Sequence, residues 1–340
     1  MNQESIKDAD CIAFVVTGGI GRNIEATATI RSLKKTYPDK ELHVIAGCPD
    51  IMLLNPNIKK VHRLGQHQYF FEDYILNKKT VYLEVEPYRH YDYIYKRKHF
   101  VECWCDELNI PCDGIYPEIF LNKNEQRMAE MFLEKFKDPI ILIQASGGKN
   151  PNGNTEKDRL ISASEMYQRN IPEKIIQYVA DYFIKQGYMI GSVQSENQYV
   201  IKGAEKIMFP IRAITALIPH VSGLICIDSF LQHASACFKK KSLVLWGGTS
   251  PKVLGYDCHV NLVNDKSTCN NLHCHRPNSY LFDMEINNFP WQCPLNASCM
   301  DFDPDYIIEE FKKILKETGN GESENKIIEE VKENKCNGCN

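Results

Sequence analysis

The sequence predicts an α/β protein in which two Rossmann-like domains place parallel sheets on either side of a central cleft. Two continuous apolar runs, residues 11–16 and 139–144, are typical of strands covered on both faces. Each run leads into a turn of small residues, as strands of a nucleotide-binding sheet commonly do. A chain of 340 residues, 43% of them hydrophobic, is long enough for about two such domains.

The first half predicts strand, helix and strand within the length of one βαβ unit. A glycine-rich turn over 17–23 follows the first strand, and Pro38 ends a helix predicted over 24–37. The remaining elements predicted here are strands over 41–46, 61–64 and 80–83 and helices over 100–108 and 125–136. We therefore place an N-terminal Rossmann-like domain at residues 1–137.

The second half repeats this organisation and forms a domain predicted over 138–303. After the strand at 139–144, the polar residues 149–159 predict a loop, and Pro172 opens a helix over 173–186. The other predicted elements are strands over 188–193, 224–227 and 242–246 and helices over 213–220 and 234–238. A C-terminal helix over 304–317 and a polar, charged tail over 318–340 complete the chain.

Two polar turns in the second half indicate an anion site. They occupy residues 228–233 and 247–250, and each follows a predicted buried strand. In parallel sheets, ligands bind at the carboxyl ends of strands, where helix N-termini offer unpaired N–H groups. We expect a phosphate-bearing ligand there. The chain has neither the G-x-G-x-x-G fingerprint nor a P-loop, which disfavours dehydrogenases and P-loop NTPases.

The charge balance and hydropathy exclude other classes. Forty basic and 44 acidic residues give a formal net charge of −4, so no overall attraction to nucleic acid is expected. No apolar run approaches the roughly 18 residues of a membrane span, and residues 1–10 are too polar for a signal peptide. We expect a cytoplasmic location.

Four of the 14 cysteines cluster in an irregular, Pro- and Asn-rich segment, residues 269–299. Cys269, Cys274, Cys293 and Cys299 offer the four soft ligands that a tetrahedral Zn or Fe site needs. Because four protein ligands leave no open coordination position, a structural metal is expected. Free thiols or disulfides are the alternatives.

Several short motifs occur in a fixed order between residues 12 and 315. They are Gly19-Ile20-Gly21, Leu33-Lys34 with Tyr37-Pro38, Asn55-Pro56, Arg169 with Pro172, Asp228-Ser229 with His233, Trp246-Gly247-Gly248-Thr249-Ser250-Pro251, and Cys299-Met300. In this order they resemble the ADP-heptose heptosyltransferase family, glycosyltransferase family nine, whose members have the GT-B fold.

The resemblance implies an inverting glycosyltransferase that moves a sugar from a nucleotide diphosphate-sugar to an acceptor hydroxyl. No D-x-D pair occurs in a suitable turn, so we expect no catalytic metal. We also expect no organic cofactor besides the donor, with the donor mostly in the second domain and the acceptor mostly in the first. The donor-binding residues that the resemblance implies are Gly19, Gly21, Arg22, Arg169, Asp228, Ser229, His233, Gly248 and Thr249.

One position departs from the family pattern. The family carries an aspartate, the expected general base, directly after the glycine of its first loop, and this chain has Arg22 there. Glu25, one helical turn along, and Asp92 are the candidate catalytic carboxylates, with the pair Glu102 and Asp106 as a further alternative. The missing aspartate also supports a rival hypothesis, a non-catalytic nucleotide-sugar-binding or assembly protein.

An aromatic run over 82–100 leaves the acceptor open. Its tyrosines alternate with basic residues such as Arg97 and Lys98, a mixture that can stack on bases and neutralise phosphates. A glycan, a protein or a modified nucleic acid is therefore a candidate acceptor. The simpler interpretation of this run is a partly buried loop with a solvated basic rim.

The residues Asp228 and Ser229 also have a simpler interpretation, because both residue types commonly cap helices.

Overall fold

A computed structural model describes residues 6–66, 68–147, 169–195, 198–270, 272–274, 293, 295 and 297–317. Within them, all strand pairs are parallel and form two sheets. The first sheet has the order β3-β2-β1-β4, and the second has the order β10-β9-β8-β5-β6-β7. This confirms the predicted α/β class with two parallel sheets. The loop predicted over 149–159 and the tail predicted over 318–340 lie outside the described residues.

The strands occupy the apolar runs that the sequence marks. Their bounds are β1 Cys11–Val16, β2 Glu41–Ala46, β3 Lys60–Arg63, β4 Thr80–Leu83, β5 Ile140–Ile143, β6 Met189–Val193, β7 Glu205–Ile207, β8 Gly223–Ile227, β9 Leu243–Trp246 and β10 Val260–Val263. The sequence does not predict β7 and β10, because they are short outer strands without a continuous apolar run.

The helices cover the sheets and connect them. They are α1 Ile20–Thr36, α2 Tyr91–Ile94, α3 Phe100–Leu108, α4 Lys123–Leu133, α5 Glu173–Lys185, α6 Ile211–Leu217, α7 Phe230–Ala236, α8 Pro251–Leu254 and α9 over 304–317. A five-residue π-helix, Phe71–Ile75, lies between β3 and β4. Each described helix is too short or too polar to cross a lipid bilayer.

Helix α1 begins four residues earlier than its apolar pattern predicts. Gly19 is the N-cap, and the buried Asn23 side chain donates to the Gly19 carbonyl at 2.8 Å. The Asn23 Oδ1 atom in turn accepts a hydrogen bond from the Cys48 backbone N–H at 3.1 Å. Because these bonds satisfy the polar groups internally, Gly21 and Arg22 lie in the first turn of the helix and not in a loop.

Helix α7 also begins earlier than predicted, so the polar segment 228–233 is only partly a turn. The backbone N–H of Leu231 donates to the buried Gln144 side chain at 2.9 Å, which satisfies a first-turn donor from outside the helix. His233 consequently lies on a helix whose residues are all buried.

A buried arginine joins the two halves. Arg212 on α6 is 8% exposed, and its guanidinium binds both carboxylate oxygens of Glu125 at 2.5 and 2.8 Å. It also donates to the carbonyls of Phe120, Asp50 and Leu53 at 2.6, 3.0 and 3.4 Å. Since Asp50 and Leu53 follow β2 of the first sheet, this side chain fixes α6 against the first half.

Replacing Arg212 by Met should lower the free energy of unfolding by about 3 kcal/mol, because Glu125 and three carbonyls lose their donor. Urea unfolding followed by circular dichroism measures the change. The matched control is Arg127→Met, because Arg127 on α4 is 60% exposed and pairs only at the surface. That variant should change the free energy of unfolding by less than about 1 kcal/mol. Equal effects of the two substitutions would contradict a role for Arg212 in joining the halves.

Candidate active site

The carboxyl edges of the two sheets meet where α1 packs against α7. A Cβ atom at Gly21 would lie 2.9 Å from the Cδ2 atom of His233, so only glycine allows this approach of the two helices. Gly21 from the first half and His233 from the second, both proposed from the sequence to bind donor, are therefore neighbours. The candidate site is built around this contact.

Three ionisable side chains form a buried line across the contact. Glu25, His233 and Asp228 are 1%, 3% and 4% exposed. The His233 Nδ1 atom lies 3.8 Å from Glu25 Oε1, and its Nε2 atom lies 3.7 Å from Asp228 Oδ1. The imidazole thus connects a carboxylate of the first half with one of the second half.

The charges in this line depend on one another. Burial opposes ionisation of Asp228, but His233 and Arg169 outweigh it and lower the pKa of Asp228 to about 2. Burial also opposes protonation of His233, but the nearby Glu25 and Asp228 carboxylates raise its pKa above the ordinary 6.5. An anionic Asp228 therefore favours the protonated imidazole, in which Nδ1 donates to the Tyr256 hydroxyl at 3.0 Å.

The Glu25 carboxyl keeps its proton up to nearly neutral pH. Burial raises its pKa from 4.5 to about 7, against the opposing charges of His233 and Arg22. Its buried Oε1 atom has no hydrogen-bond partner among the described residues. A carboxyl that titrates near pH 7 can accept a proton from a substrate and release it again.

The end of β8 carries the polar groups of the second half. Arg169 donates to the Asp228 carbonyl at 3.2 Å, and its Nη1 atom lies 3.7 Å from the Asp228 carboxylate. The Gln144 side chain donates to the Ser229 hydroxyl at 3.2 Å. Arg169 and Ser229 remain partly exposed, so they can reach a ligand.

The turn after β9 is held by His273, which precedes Cys274 in the chain. Burial lowers the pKa of His273, and the neutral ring donates through Nδ1 to the carbonyls of Thr249 and Gly247 at 2.7 and 3.1 Å. Gly248 and Thr249 are buried, and the Thr249 hydroxyl has no hydrogen-bond partner among the described residues.

Arg22 is paired with a carboxylate that the sequence analysis did not consider. Its Nη1 atom donates to both oxygens of Glu86, at 2.9 and 3.1 Å, and its guanidinium lies 5.1 and 5.3 Å from the ring centroids of Trp104 and Tyr88. Glu86 follows β4, and its side chain is 30% exposed. Its position just after a strand is the only local feature that could have marked Glu86 as a site residue, because its partner Arg22 lies 64 residues away.

Asp92 is held apart from this group, in a surface cluster. Its carboxylate lies 3.6 Å from the Lys98 ammonium, which also binds Asp106 at 2.6 Å. His90, Asp92 and Asp106 bring their ligand atoms within 4.8 Å of one another, but Lys98 already supplies the positive charge there. The exposed Tyr91 and Tyr95 lie close by, with the Arg97 guanidinium 4.8 and 5.5 Å from their ring centroids.

The described residues at the two ends of the cysteine segment lie side by side. Asn264 donates to the Asp301 carbonyl at 2.9 Å, and the Ser267 and Ser298 hydroxyls lie 3.2 Å apart, which brings the chain near Cys269 beside that near Cys299. Burial raises the pKa of Cys299 to about 12, and the charges of Cys269, Cys274 and Cys293 add to this effect. The four sulfurs therefore share one neighbourhood. Among the described residues, no three of these sulfurs lie within 4.8 Å of one another, whereas one ligand atom each of His90, Asp92 and Asp106 do.

Glu25→Gln should make folding less dependent on pH. The folded protein keeps a proton on Glu25 up to about pH 7, whereas the unfolded chain releases it near pH 4.5, so ionisation of this buried carboxyl costs stability as pH rises. The wild type should match the variant near pH 4.5 and fall below it by up to roughly 3 kcal/mol by pH 8. Urea unfolding across this pH range measures the difference.

The matched control is Glu134→Gln, because the Glu134 side chain is 62% exposed. It should change stability by a few tenths of a kcal/mol at all these pH values. A flat difference between the wild type and Glu25→Gln would show that Glu25 is not a buried acid.

No protein-family model matches the sequence, and no curated protein matches it. Solved structures do. The glycosyltransferase family 9 protein from Veillonella parvula DSM 2008 is 15% identical with a TM-score of 0.61, over 91% of this chain and 98% of that chain. ADP-heptose lps heptosyltransferase II of E. coli is 13% identical with a TM-score of 0.60, over 90% and 98%.

A third similar structure is TibC, a bacterial iron-containing dodecameric glycosyltransferase from enterotoxigenic E. coli H10407. It is 11% identical with a TM-score of 0.61, over 91% of this chain and 77% of that chain. At these identities the likeness is one of fold. The chain has the two-sheet GT-B fold of these glycosyltransferases, as the sequence analysis predicts.

Proposed function

We propose that this chain is a glycosyltransferase that moves a sugar from a nucleotide diphosphate-sugar to an acceptor hydroxyl with inversion. The observation that carries the proposal is the line of Glu25, His233 and Asp228 between the carboxyl edges of two GT-B sheets. It joins a carboxyl suited to proton transfer with the end of the strand that would hold a donor.

The second half supplies the donor side. Arg169 and Ser229 are partly exposed at the end of β8, and the buried Arg169 Nε has no hydrogen-bond partner among the described residues. A planar guanidinium with an unused donor suits a diphosphate, whose negative charge grows as the sugar departs. The turn of Gly248 and Thr249 lies beside it and would bind through backbone N–H groups.

The similar structures indicate which nucleotide sugar to test first as the donor. Heptosyltransferase TibC has been solved in complex with ADP-D-beta-D-heptose. We extend this donor class to the present chain as part of the proposal. Positions 19, 21 and 22 of the first half would close over the donor, with Arg22 held ready by Glu86.

Glu25 is the proposed general base. Its pKa of about 7 allows it to be ionised in part of the molecules and to take the acceptor proton as the new bond forms. Since the carboxyl is 1% exposed, an acceptor reaches it only when α1 and α7 separate. Glu86 is the competing carboxylate, because it is more exposed. Asp92 is the weaker candidate, because Lys98 binds it at the surface.

We propose a structural metal at the cysteine cluster, whose sulfurs would have to move closer together to share one ion. Its residues are Cys269, Cys274, Cys293 and Cys299, and all four are soft ligands in one neighbourhood. A bound Fe or Zn would cross-link the irregular segment 269–299. The iron-containing TibC structure makes iron the first metal to test.

A non-catalytic nucleotide-sugar-binding protein is the rival function. The observation that favours it is Arg22 in the place of the expected aspartate, already bound to Glu86. A modified nucleic acid as acceptor is favoured by Arg97, which stacks with the exposed Tyr91 and Tyr95, but Lys98 is neutralised by Asp106.

Substitutions at the two sides of the cleft should separate donor binding from chemistry. Arg169→Ala should weaken donor binding by roughly 10- to 100-fold, because a charged hydrogen bond is worth about 1.5–3 kcal/mol. Glu25→Gln should bind donor normally and lower kcat by roughly 10²- to 10⁴-fold. Calorimetry with ADP-heptose and other nucleotide sugars, and release of nucleoside diphosphate, measure the two effects.

Glu86→Gln is the matched comparison for Glu25→Gln. If Glu86→Gln abolishes turnover and Glu25→Gln does not, the base is Glu86. If the wild type binds a donor but releases no nucleoside diphosphate with any acceptor extract, the rival binding function is correct. If no nucleotide sugar binds, both functions fail.

Metal content should depend on the cysteine cluster. We expect the purified wild type to contain about one Fe or Zn per chain, and Cys299→Ser or Cys293→Ser to lose most of it. Elemental analysis by plasma mass spectrometry measures this. Cys258→Ser is the control, because Cys258 lies near His259, outside the cluster, and should leave the content unchanged. Equal metal content in all variants would exclude this site.

A further inference from the structure

Two thiols lie together where α3 ends and the chain turns toward α4. Asn109 adopts the left-handed conformation with φ 55°, and the Ile110 N–H donates to the Cys105 carbonyl at 3.0 Å. This turn folds the chain back along the last turn of α3. The Cys105 and Cys112 side chains consequently lie close enough for each thiol to affect the ionisation of the other.

The two thiols differ in their surroundings. Cys112 is exposed to solvent, whereas Cys105 is 1% exposed. The Arg31 guanidinium lies beside Cys112, donating to the Asp113 and Gly114 carbonyls at 3.4 and 3.2 Å. The pair therefore consists of one accessible thiol near a cation and one partner shielded behind it.

The ionisation of the pair follows from this arrangement. The Cys105 thiol lowers the pKa of Cys112 to about 7, although partial burial opposes this, and Arg31 contributes in the same direction. The Cys112 thiol, followed by burial, raises the pKa of Cys105 far above its ordinary value. Cys112 therefore ionises at a lower pH than Cys105 does.

We propose that Cys112 and Cys105 form a thiol–disulfide exchange site for small disulfides of the oxidised glutathione class, with Cys112 as the attacking thiol and Cys105 as the resolving thiol. This site goes beyond glycosyl transfer and does not depend on it. Accessible thiols of low pKa with an adjacent second cysteine are the ones that exchange.

The exchange balances in two steps. The Cys112 thiolate attacks one sulfur of oxidised glutathione, the S–S bond breaks, and one glutathione thiolate leaves and takes a proton. Cys105 then loses its proton to water and attacks the Cys112 sulfur of the mixed disulfide, which releases the second glutathione. Two protein thiols are oxidised to one disulfide, and one glutathione disulfide is reduced to two thiols.

Formation of the mixed disulfide at Cys112 makes the later attack by Cys105 easier. The leading causes that raise the pKa of Cys105 include its interaction with the Cys112 thiol and the negative charge of Cys112. Both disappear once Cys112 is part of a neutral mixed disulfide. Cys105 then ionises more readily, beside the sulfur that it must attack.

The chain around the pair is fixed to both halves of the molecule. The Asp113 N–H donates to the buried Ser32 hydroxyl of α1 at 3.0 Å. Three residues later, the Tyr116 hydroxyl accepts from the Cys258 N–H at 3.0 Å and contacts Asp257. A disulfide here would tie the end of α3 to the segment that connects the two sheets.

Trypsin digestion isolates the proposed site in one peptide. Residues 99–123 follow Lys98, end at Lys123 and contain no other Lys or Arg, but they include Cys103, Cys105 and Cys112. We would treat the full chain with oxidised glutathione at pH 7, block free thiols with N-ethylmaleimide and analyse this peptide by tandem mass spectrometry. The expected product has lost two hydrogens, carries one maleimide at Cys103, and is restored by dithiothreitol.

Single substitutions identify each step. Cys105→Ser should stop the reaction at one glutathione on Cys112, and Cys112→Ser should leave the peptide without glutathione or disulfide. Cys103→Ser is the matched control, since Cys103 is buried and its pKa is raised to about 12. It should leave the Cys105–Cys112 bridge intact.

The rate of alkylation gives a second readout that needs no variant. At pH 7, Cys112 should react with iodoacetamide roughly five- to tenfold faster than Cys258, whose pKa is raised by burial. Equal rates, a Cys112 that glutathione disulfide leaves unmodified, or a bridge that forms through Cys103 would each overturn the proposal.

Discussion

The buried contact between α1 and α7 is the constraint on which the site depends. Asp228, His233 and Glu25 lie in line with little access to water, so each proton position affects the other two. The anionic Asp228 favours protonation of His233, whereas the largest effect on Glu25 is the cost of its own desolvation. That cost raises its pKa toward neutrality, and the same cost makes it useful as a base.

The surrounding residues keep this line in place. Tyr256 accepts from His233, and Gln232 donates to the Leu254 carbonyl at 3.1 Å, so α7 is tied to the segment that follows β9. On the other side, the Arg212 interactions hold α6 against the first half. The two halves are therefore joined both at Arg212 and at the α1 and α7 contact. Under the proposed mechanism, an acceptor would reach Glu25 if the α1 and α7 contact opened while the Arg212 interactions held.

The sequence predicts the regular elements well and the contacts poorly. Helix α3 was predicted with its observed bounds, because its apolar pattern is strong and His99 with Glu102 closes a capping box at its start. The bounds of β4 also agree with the sequence. By contrast, α1 and α7 start earlier than predicted, because Asn23 and Gln144 satisfy backbone groups through contacts that no local pattern reveals.

The candidate site shows the same division. The residue types of Asp228, His233 and Glu25 and their order are visible in the sequence, but their approach between the two halves of the chain is not. Glu86 was missed because its partner Arg22 lies 64 residues away, and the Cys105 and Cys112 pair was missed because it depends on one left-handed residue at the end of α3. Pairings at long range follow from packing, which a single sequence does not display.

Arg22 on α1 and Glu86 after β4 together form an ion pair at the position where the family carries an aspartate. An aspartate at this position would bring a carboxylate to the first turn of α1. Arg22 instead binds the carboxylate of Glu86, which follows β4. The guanidinium also lies over the aromatic rings of Trp104 and Tyr88, which hold it in place. The first half thus keeps a carboxylate at the edge of the cleft and gains a buried cation behind it. That cation also opposes protonation of Glu25, so the residue that replaces the expected base tunes the one that we propose in its stead.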